Sequence, residues 1–391
     1  MSVMHKICFI GSGELLLDRA KSLGLFVALI QKQEGASLNA IRRADSILMC
    51  DYDDPENANL MLNFICEQGI KKVLTLSEKA LNVAAVLNDR LSGKNEELNI
   101  TKVLKNKILM RSKLKDTRFG NVDFFPVHSR EDLVKAAFLL KYPFILKPAC
   151  GVGSANVRLI KDEISLFEVS VEKNLIAEQY IGGKEYSVEA FSHDGIHIIH
   201  AITEKTLFNH KDGRFVEKGH TVTRVNNEGS FFFRLETFIC DFLDLLGIRK
   251  GATHTEIKLF EGSIYIIESH NRVGGDSIPE LVYHSSGTDL YNLAIQETAG
   301  LPFDNVRKPV LCDSGIRFFD FAPGTVRCVY GEQSVKILPF VKELSLPVLT
   351  DVTISGPVNS SSRNGYVICT SRDDVSLCLD SCQAAIKVFY K

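Results

Sequence analysis

Apolar runs and helical patterns alternate over the first hundred residues. The runs at residues 6–10, 26–30, 46–50 and 72–76 are short and mostly aliphatic or aromatic, as in strands that are buried on both faces. The segments between them carry apolar residues at helical spacing, and Pro55 stands where a first helical turn accepts proline. Short strands separated by helices predict an open parallel sheet.

The pattern changes after residue 105. A helix is expected at 129–140, because Ser129 can cap it and Glu131 and Asp132 lie in its first turn. The neighbouring segments are typical of an α+β unit: a charged helical stretch at 102–115, followed by strand patterns at 124–127, 144–147, 157–160, 175–179 and 185–190.

The last part of the chain contains one long helix with an apolar stripe. Leu235, Ile239, Phe242 and Leu246 recur at helical spacing, which indicates core packing and not a cofactor site. Strand patterns and a polar loop at 359–365 follow. These changes divide the chain into residues 1–105, 106–190 and 191–391, with an α/β first part and α+β character in the other two.

Composition narrows the class of protein. The 391 residues contain 46 Lys and Arg against 48 Asp and Glu, a net charge of -2, which leaves no basic surplus to attract nucleic acid or an anionic membrane. The first apolar run is too short for a secretory signal, and no stretch approaches the roughly 18 apolar residues of a membrane span. Without a signal, the 10 cysteines are expected as reduced thiols. We therefore expect a soluble, cytoplasmic protein.

A glycine pair follows the first apolar run. Gly11 and Gly13 fit the start of a dinucleotide-binding motif, but Leu16 stands where its third glycine would be, and no acidic ribose partner is evident. A tight turn from strand to helix explains both glycines, and bound NAD is not expected.

Two later segments are candidates for contacting a nucleotide. Lys147 ends a strand pattern, and the glycine-rich flap at 151–154 behind it offers backbone N–H groups to phosphate oxygens, although a plain turn would have the same composition. The hinge after residue 179 can hydrogen-bond an adenine edge through its backbone, with Glu178 near the base and Glu185 accepting ribose hydroxyls. A solvated acidic strand edge is the alternative for this second segment.

The densest cluster of chemically active residues lies at 251–276. A hairpin with a three-residue turn at 261–263 would place Glu256 directly opposite Glu268. Two facing carboxylates repel unless a cation lies between them, and oxygen ligands together with nucleotide phosphates suit Mg²⁺. Arg272 can clamp a phosphoryl group or a carboxylate. An exposed, salt-bridged hairpin is the alternative.

Taken together, these residues resemble the ATP-grasp superfamily in their order and spacing. The ordered set is Lys107, Lys147 with its flap, Glu178, Glu185, Glu256 and the run Glu268-x-His270-x-Arg272. The segment at 272–281 and the C-terminal block are similar to the L-amino-acid ligase branch, which forms dipeptides. Each motif is short, but the resemblance covers nearly the whole chain.

The resemblance implies a domain order and a set of roles. A Rossmann-like domain at 1–105 would precede a small nucleotide-binding subdomain with the flap at 106–190, and a large subdomain with the metal site and a C-terminal extension at 191–391. ATP and Mg²⁺, or Mn²⁺ in its place, are the implied cofactors. ATP would be contacted by Lys107, Lys147, Gly151, Gly153, Ser154, Glu178, Tyr180, Ile181 and Glu185. The metal ligands would be Glu256 and Glu268, the catalytic residues Arg272 and Lys147, and the substrate contacts Arg317, His270, Gly274, Gly275 and Asp276.

One residue departs from the family pattern. Two positions after the second metal glutamate the family commonly has asparagine, whereas this chain has His270. Imidazole is a poor Mg²⁺ ligand compared with an amide oxygen. His270 is therefore expected to be structural or to contact substrate, with two glutamates and water completing the metal shell.

The implied reaction joins a carboxylate to an amine. An amino-acid or small-acid carboxylate would attack the γ-phosphate of ATP, and an amine would then displace phosphate from the acylphosphate. The flap at 151–154 and a loop at 210–219 are expected to close as lids over this reactive group. Small-molecule substrates and a homodimer are expected, without nucleic acid or membrane. Two alternatives stay open: a ligase for a non-peptide carboxylate and amine in natural-product or cofactor biosynthesis, and a non-catalytic nucleotide-binding regulatory protein.

Overall fold

The N-terminal part of the molecule contains a parallel sheet between helices. The structure is a computed structural model that describes residues 4–151, 153–171, 174–208 and 215–391. Its first elements are β1 (Lys6–Ile10), α1 (Glu14–Ser22), β2 (Phe26–Gln31), α2 (Leu38–Arg43), β3 (Ser46–Met49), α3 (Ala58–Glu67), β4 (Val73–Leu74), α4 (Leu81–Ser92), α5 (Glu97–Lys105) and α6 (Lys107–Leu114). The strands pair in parallel in the order β3-β2-β1-β4, which confirms the predicted sheet.

This sheet has an apolar core on each face. Along β1, Ile7 and Phe9 pack into one core, and Cys8 and Ile10 pack into the other. Because successive side chains of a strand point to opposite faces, a strand covered on both sides is apolar at every position. This explains why the sequence shows an unbroken apolar run here.

The charged stretch at 102–115 is two helices and not one. α5 ends at Lys105, and the backbone of Asn106 is extended. The Asn106 side chain accepts hydrogen bonds from the N–H groups of Ile108 and Leu109, which caps α6. The new helix therefore starts at Lys107, whose own N–H donates to the carbonyl of Ala149 at 2.8 Å.

A small antiparallel sheet follows. The elements of this part are β5 (Phe124–Val127), α7 (Arg130–Leu140), β6 (Phe144–Pro148), β7 (Arg158–Ile160), α8 (Glu163–Phe167) and β8 (Leu175–Gln179). The four strands form the sheet in the order β5-β8-β6-β7. As predicted, Ser129 caps α7 by accepting a hydrogen bond from the N–H of Asp132.

The rest of the chain builds a large antiparallel sheet and a C-terminal extension. The elements are β9 (Lys184–His193), β10 (Ile196–Leu207), β11 (Glu217–Val222), α9 (Gly229–Leu246), β12 (Gly251–Phe260), β13 (Ser263–His270), α10 (Ile278–Ser286), α11 (Leu290–Ala299), β14 (Asp313–Phe318), β15 (Gly324–Tyr330), α12 (Glu332–Lys336), β16 (Val341–Ser345), β17 (Thr353–Ile354), β18 (Tyr366–Ser371), α13 (Val375–Ala385) and β19 (Lys387–Tyr390). The large sheet has the order β13-β12-β9-β10-β11-β14-β18-β16, and a smaller one has the order β17-β15-β19. No helix within the described residues has the length and apolar character needed to cross a membrane.

The apolar stripe of α9 covers one face of the large sheet. Leu235, Ile239 and Phe242 are buried there against Val188 and Ile202 from the strands. Since strand side chains alternate between faces, Ser187 and Glu189 on either side of Val188 point to the other face. That other face carries the candidate site.

The fold class predicted from the sequence is confirmed: an α/β parallel-sheet part precedes α+β parts. The proposed domain boundaries stay a prediction. The chain passes from the small sheet to the large one at residues 180–183, so the expected boundary at 190 falls within β9.

Candidate active site

Three rows of side chains cross the face of the large sheet opposite α9, and we call them the polar rungs. Directly paired residues on neighbouring strands share a face, so each rung is a line of adjacent side chains. The first rung is Lys205–Glu185–Lys258, the middle rung is Thr203–Ser187–Glu256–Glu268, and the third rung is Ala201–Glu189–His254–His270. Both predicted metal ligands therefore lie side by side, between a rung with two lysines and a rung with two histidines.

A β-bulge pairs Glu256 with Glu268, and the predicted turn is wrong. The hairpin turn has two residues, Glu261 with φ 47° and Gly262 with φ 75°, as a turn matched to the strand twist requires. Such a turn alone would place Glu256 opposite Ile267. The register shifts between Glu256 and Ile257, so that Glu268 becomes the partner. The predicted pair is confirmed, but for a different reason.

A cavity of about 110 Å³ lies between the small sheet and the polar rungs. Its apolar walls come from both parts of the chain: Val122, Ile145, Val157, Ile181, Leu207, Phe215 and Ile267. Its polar lining includes Lys107, Lys147, Gly151, Ser154, Glu178, Glu185, Lys205, Glu256, Lys258 and Glu268. Apolar walls with a few converging charged groups are typical of a small-molecule site.

Each glutamate of the middle rung is paired with a lysine. The nearest carboxylate oxygen of Glu256 is 2.8 Å from Lys205 Nζ, and that of Glu268 is 2.8 Å from Lys107 Nζ. Burial alone would raise the pKa of both carboxyls, but the lysine charges outweigh it and hold both pKa values below their usual range. Both groups are therefore ionised at neutral pH, as a metal ligand must be.

Glu178 lines the cavity with two cations beside its carboxylate, and its role near adenine stays a prediction. Its buried carboxylate accepts a hydrogen bond from Arg111 Nε at 2.8 Å and forms an ion pair with Lys147 Nζ at 2.6 Å. Burial would raise the pKa of Glu178, but these two cations lower it to about 2. The carboxylate is thus engaged by Arg111 and Lys147, and its position supports a role in holding Lys147 in the cavity.

The hinge between the two sheets depends on glycine at one position. Gly183 has φ 81°, and a Cβ atom there would lie 2.1 Å from the carbonyl oxygen of Leu259. The neighbouring Ile181 is buried in the cavity wall, and its carbonyl accepts a hydrogen bond from Lys258 Nζ at 3.0 Å. Tyr180 is 37% exposed and does not line the cavity.

The flap contacts the polar loop near the C-terminus. The carboxylate of Glu217 accepts hydrogen bonds from Ser154 Oγ at 2.8 Å and from Ser360 Oγ at 2.7 Å. Ser360 also donates to the carbonyl of Gly153 at 3.1 Å. Residue 152 of the flap and residues 210–214 of the second predicted lid lie outside the described residues. The contacts of Glu217 and of the loop at 359–365 with the flap were not predicted, because the three segments are far apart in the chain and meet only in the folded structure.

Arg272 and His270 extend toward the N-terminal part of the chain. Arg272 Nε donates to Glu78 Oε2 at 2.8 Å, and the same oxygen lies 3.3 Å from His270 Nδ1. Burial would raise the pKa of Glu78, but these two cationic neighbours lower it to about 2. Glu78 was also missed. Its position shortly after β4 is the available signal, because ligands of open parallel sheets bind beyond the carboxyl ends of the strands.

Arg272 lines a second cavity and not the first. This cavity, of about 600 Å³, lies between the N-terminal sheet and the start of the β12–β13 hairpin, and Asn271 lines it as well. Lys72 and Glu297 form an ion pair of 3.1 Å in its wall. Arg272 therefore stands close to Glu268 in the chain but faces a separate space.

Asp276 is held close to the polar rungs. Its carboxylate forms an ion pair with Arg363 at 2.5 Å and lies 3.0 Å from His220 Nε2. Burial alone would raise the pKa of Asp276, but Arg363 and His220 outweigh this effect and hold the pKa below its usual range. Gly274 packs against the third rung, and a Cβ atom there would lie 2.9 Å from His254 Nδ1, whereas a Cβ at Gly275 would have open space.

Arg317 is separated from the other predicted site residues. Its NH1 donates to Asp380 at 2.6 Å, on the C-terminal helix α13. The preceding residue, Ile316, pairs with His220, which in turn pairs with Lys205 of the first rung. Because adjacent residues of a strand face opposite ways, Arg317 points away from the rungs, and a contact with substrate has no support in this geometry.

The same fold occurs in known proteins. Residues 164–280 match the family profile of the ATP-grasp domain. This segment of the chain is similar to ATP-grasp domains. Dapdiamide A synthase of Enterobacter agglomerans is 24% identical over 262 residues, which cover 63% of this chain and 60% of that protein. The L-arginine-specific L-amino acid ligase of Bacillus subtilis is 22% identical over 249 residues, which cover 61% of this chain and 60% of that protein.

A solved structure matches over the whole length. The crystal structure of an L-amino acid ligase from Bacillus licheniformis aligns with a TM-score of 0.82 over 99% of both chains, at 22% sequence identity. The ATP-grasp fold expected from the sequence is confirmed. The chain spans about 60% of the two curated relatives that it matches, and the roles of its individual residues stay predictions.

Proposed function

We propose that this protein is an ATP-dependent ligase that joins the carboxylate of an amino acid or small acid to the amine of another amino acid. The observation that carries the proposal is the middle polar rung, where two ionised glutamates share one row of a cavity that also holds Lys107 and Lys147. The similarity to dapdiamide A synthase and to L-amino acid ligases supports amino acids as the substrate class.

The residues of the cavity fit a divalent metal that is bound together with a nucleotide. Glu256 and Glu268 supply hard oxygen ligands in one row, which suits Mg²⁺ and also Mn²⁺. Within the described residues, no group of three or more His, Cys, Asp or Glu side chains is arranged to hold a metal ion. Two carboxylates need further oxygens from elsewhere, and nucleotide phosphates and water provide them. When bound, the metal would neutralise negative charge on the phosphates.

The charges in the cavity suggest how ATP is positioned. We place the triphosphate at Lys107 and Lys147, with Lys205 close by, and the base against the apolar walls near Ile181. The cavity volume of about 110 Å³ is small for a nucleotide. We therefore expect the small sheet to move away from the rungs when ATP enters and to return when it is bound.

The proposed reaction has two steps. A carboxylate oxygen of the first substrate attacks the γ-phosphorus of ATP, the bond to the bridging oxygen breaks, and ADP leaves. The amine of the second substrate then attacks the acyl carbon, loses a proton and expels inorganic phosphate. The protein orients the reactants and stabilises the developing charge with its lysines, and the closed cavity keeps water from the acylphosphate.

Arg272 and Glu78 are suited to hold the amino-acid substrate. The two side chains contact each other, and Arg272, four residues after Glu268, lines the larger cavity. A guanidinium can bind a carboxylate through two hydrogen bonds, and a carboxylate can bind an ammonium group. A zwitterionic amino acid would match this pair of charges.

Phosphate release across pairs of the 20 common amino acids, with ATP and Mg²⁺ supplied, tests the proposal. We expect release that requires one or a few pairs and exceeds the rate with either amino acid alone. Release stimulated only by non-amino-acid carboxylates and amines would favour the non-peptide ligase. ATP binding without any substrate-dependent release would contradict the proposal.

A further inference from the structure

A buried carboxylate and an imidazole lie behind Glu256 and are not used in the proposed reaction. Glu189 is 1% exposed. Its Oε1 accepts a hydrogen bond from Ser187 Oγ at 2.9 Å and lies 2.7 Å from His254 Nδ1. The other ring nitrogen of His254, Nε2, is 3.4 Å from Oε1 of Glu256. Glu189, His254 and Glu256 thus form a continuous line of contacts that begins at a buried carboxylate and ends at a proposed metal ligand.

The burial of these polar side chains makes the fold less stable. Glu189 and His254 are both withdrawn from water, and Glu189 Oε2 has no hydrogen-bond partner among the described residues. A buried carboxylate oxygen without a partner is unfavourable, and apolar residues of similar size often replace buried polar pairs without loss of stability.

The surrounding chain holds this pair tightly. Gly274 passes so close that a Cβ atom there would lie 2.9 Å from His254 Nδ1 and 3.1 Å from Glu189 Oε2. The imidazole therefore has little room to turn, and its Nε2 stays directed at Glu256. Only one oxygen of Glu256 is approached in this way, since the other, Oε2, faces Lys205 at 2.8 Å.

We infer that Glu189 and His254 are positioning residues that fix the orientation of the Glu256 carboxylate for a metal ion. The inference rests on the proposed function, which makes Glu256 a metal ligand. Glu189 holds the ring through Nδ1, and the ring holds Oε1 of Glu256 through Nε2. This fixes the direction of Oε2, whose second lone pair can bind a metal beside Lys205. Partners behind a metal ligand commonly change metal affinity by about 10–100-fold when they are removed.

The test is the affinity for Mn²⁺ in the presence of adenylyl imidodiphosphate, measured by electron paramagnetic resonance. The variants are Glu189→Gln, His254→Asn and His254→Gln. We expect the first two to bind Mn²⁺ at least about tenfold more weakly than the unmodified protein. Because a glutamine amide reaches the position of the ring Nε2 and an asparagine amide does not, His254→Gln should retain more affinity than His254→Asn. In turnover, the KM for metal should rise more than kcat falls.

Matched controls separate positioning from general damage. His197 is another buried imidazole between two partners, Ser192 and Asp244, away from the cavity lining, so His197→Asn should leave Mn²⁺ affinity unchanged. If Glu189→Gln or His254→Asn does not fold, Gly274→Ala provides the same test, since its methyl group displaces the His254 ring and should weaken Mn²⁺ binding.

The outcomes distinguish this inference from the proposed function. Mn²⁺ affinity within twofold of the unmodified protein in Glu189→Gln and His254→Asn, together with loss in Glu256→Gln, would overturn the inference and leave the proposed function standing. Equal affinity of His254→Gln and His254→Asn would also overturn it. Unchanged Mn²⁺ affinity in Glu256→Gln would remove the metal assignment and the inference together.

Discussion

Replacing Glu268 by glutamine should slow ADP formation by roughly a hundredfold while the protein stays folded. The amide keeps the volume of the carboxylate but removes its charge, so the middle rung keeps only one of its two carboxylates. By analogy with the removal of a single group that stabilises transition-state charge, we expect a barrier higher by about 3 kcal/mol, which is a loss of roughly a hundredfold in rate.

The effect on stability should be smaller than the loss of a buried ion pair suggests. Lys107 loses its partner at 2.8 Å, and breaking a buried pair in this way costs about 3–5 kcal/mol. Three features reduce the cost here: Glu268 is 16% exposed, Lys107 keeps a hydrogen bond to the Gly151 carbonyl at 3.0 Å, and the repulsion between Glu256 and Glu268 disappears. We expect a loss of about 1–3 kcal/mol in the free energy of unfolding.

ADP release in a coupled assay and urea unfolding measure the two effects separately. Glu204→Gln is the matched control, because Glu204 is also a strand glutamate 2.8 Å from a lysine, Lys184, and lies outside the cavity lining. The control should retain normal turnover. Normal ADP formation by Glu268→Gln would refute the assignment of Glu268 as a metal ligand, and unfolding of this variant would refute the stability argument.

Two further predictions concern the hinge and pH. Gly183→Ala should destabilise the protein by at least 1 kcal/mol more than Gly247→Ala in urea unfolding, because both glycines have positive φ but only a Cβ at Gly183 meets the Leu259 carbonyl; equal losses would contradict the clash. Burial lowers the pKa of His200 to about 4, against an ordinary value of 6.5, so the folded state favours the neutral ring. Protonation therefore favours unfolding, and stability should fall by up to roughly 3 kcal/mol as pH drops from 6.5 through 4. Replacing His200 by Gln, which can still hydrogen-bond Asn305, should remove most of this loss in urea unfolding at pH 7 and 4.5, and an undiminished loss would show that another group is responsible.

Local patterns predicted the elements and the pairing that matters most. The apolar runs identified the parallel strands because those strands are covered on both faces. The Glu256–Glu268 pair was predicted because both residues lie on one short hairpin. The predicted turn was one residue too long and the bulge was not foreseen, and these two errors of register cancelled. Asn106 ends one helix and caps the next within the charged stretch. Asparagine is a preferred residue at the start of a helix, so the sequence contained a signal for this break.

Contacts between distant segments could not be predicted in the same way. Glu178 faces Arg111 and Lys147, and nothing near it in the chain indicates that two cations would surround it. Lys205 reaches Glu256 only because β10 and β12 flank β9 in the sheet. Such ion pairs depend on strand order and register, and one sequence without its fold does not specify them.

A crystal structure with adenylyl imidodiphosphate and Mg²⁺ tests the central claim most directly. The account predicts the nucleotide between the small sheet and the polar rungs, with one metal ion bound by both Glu256 and Glu268 and by phosphate oxygens. A nucleotide bound in another cavity, or metal density away from these two carboxylates, would contradict it.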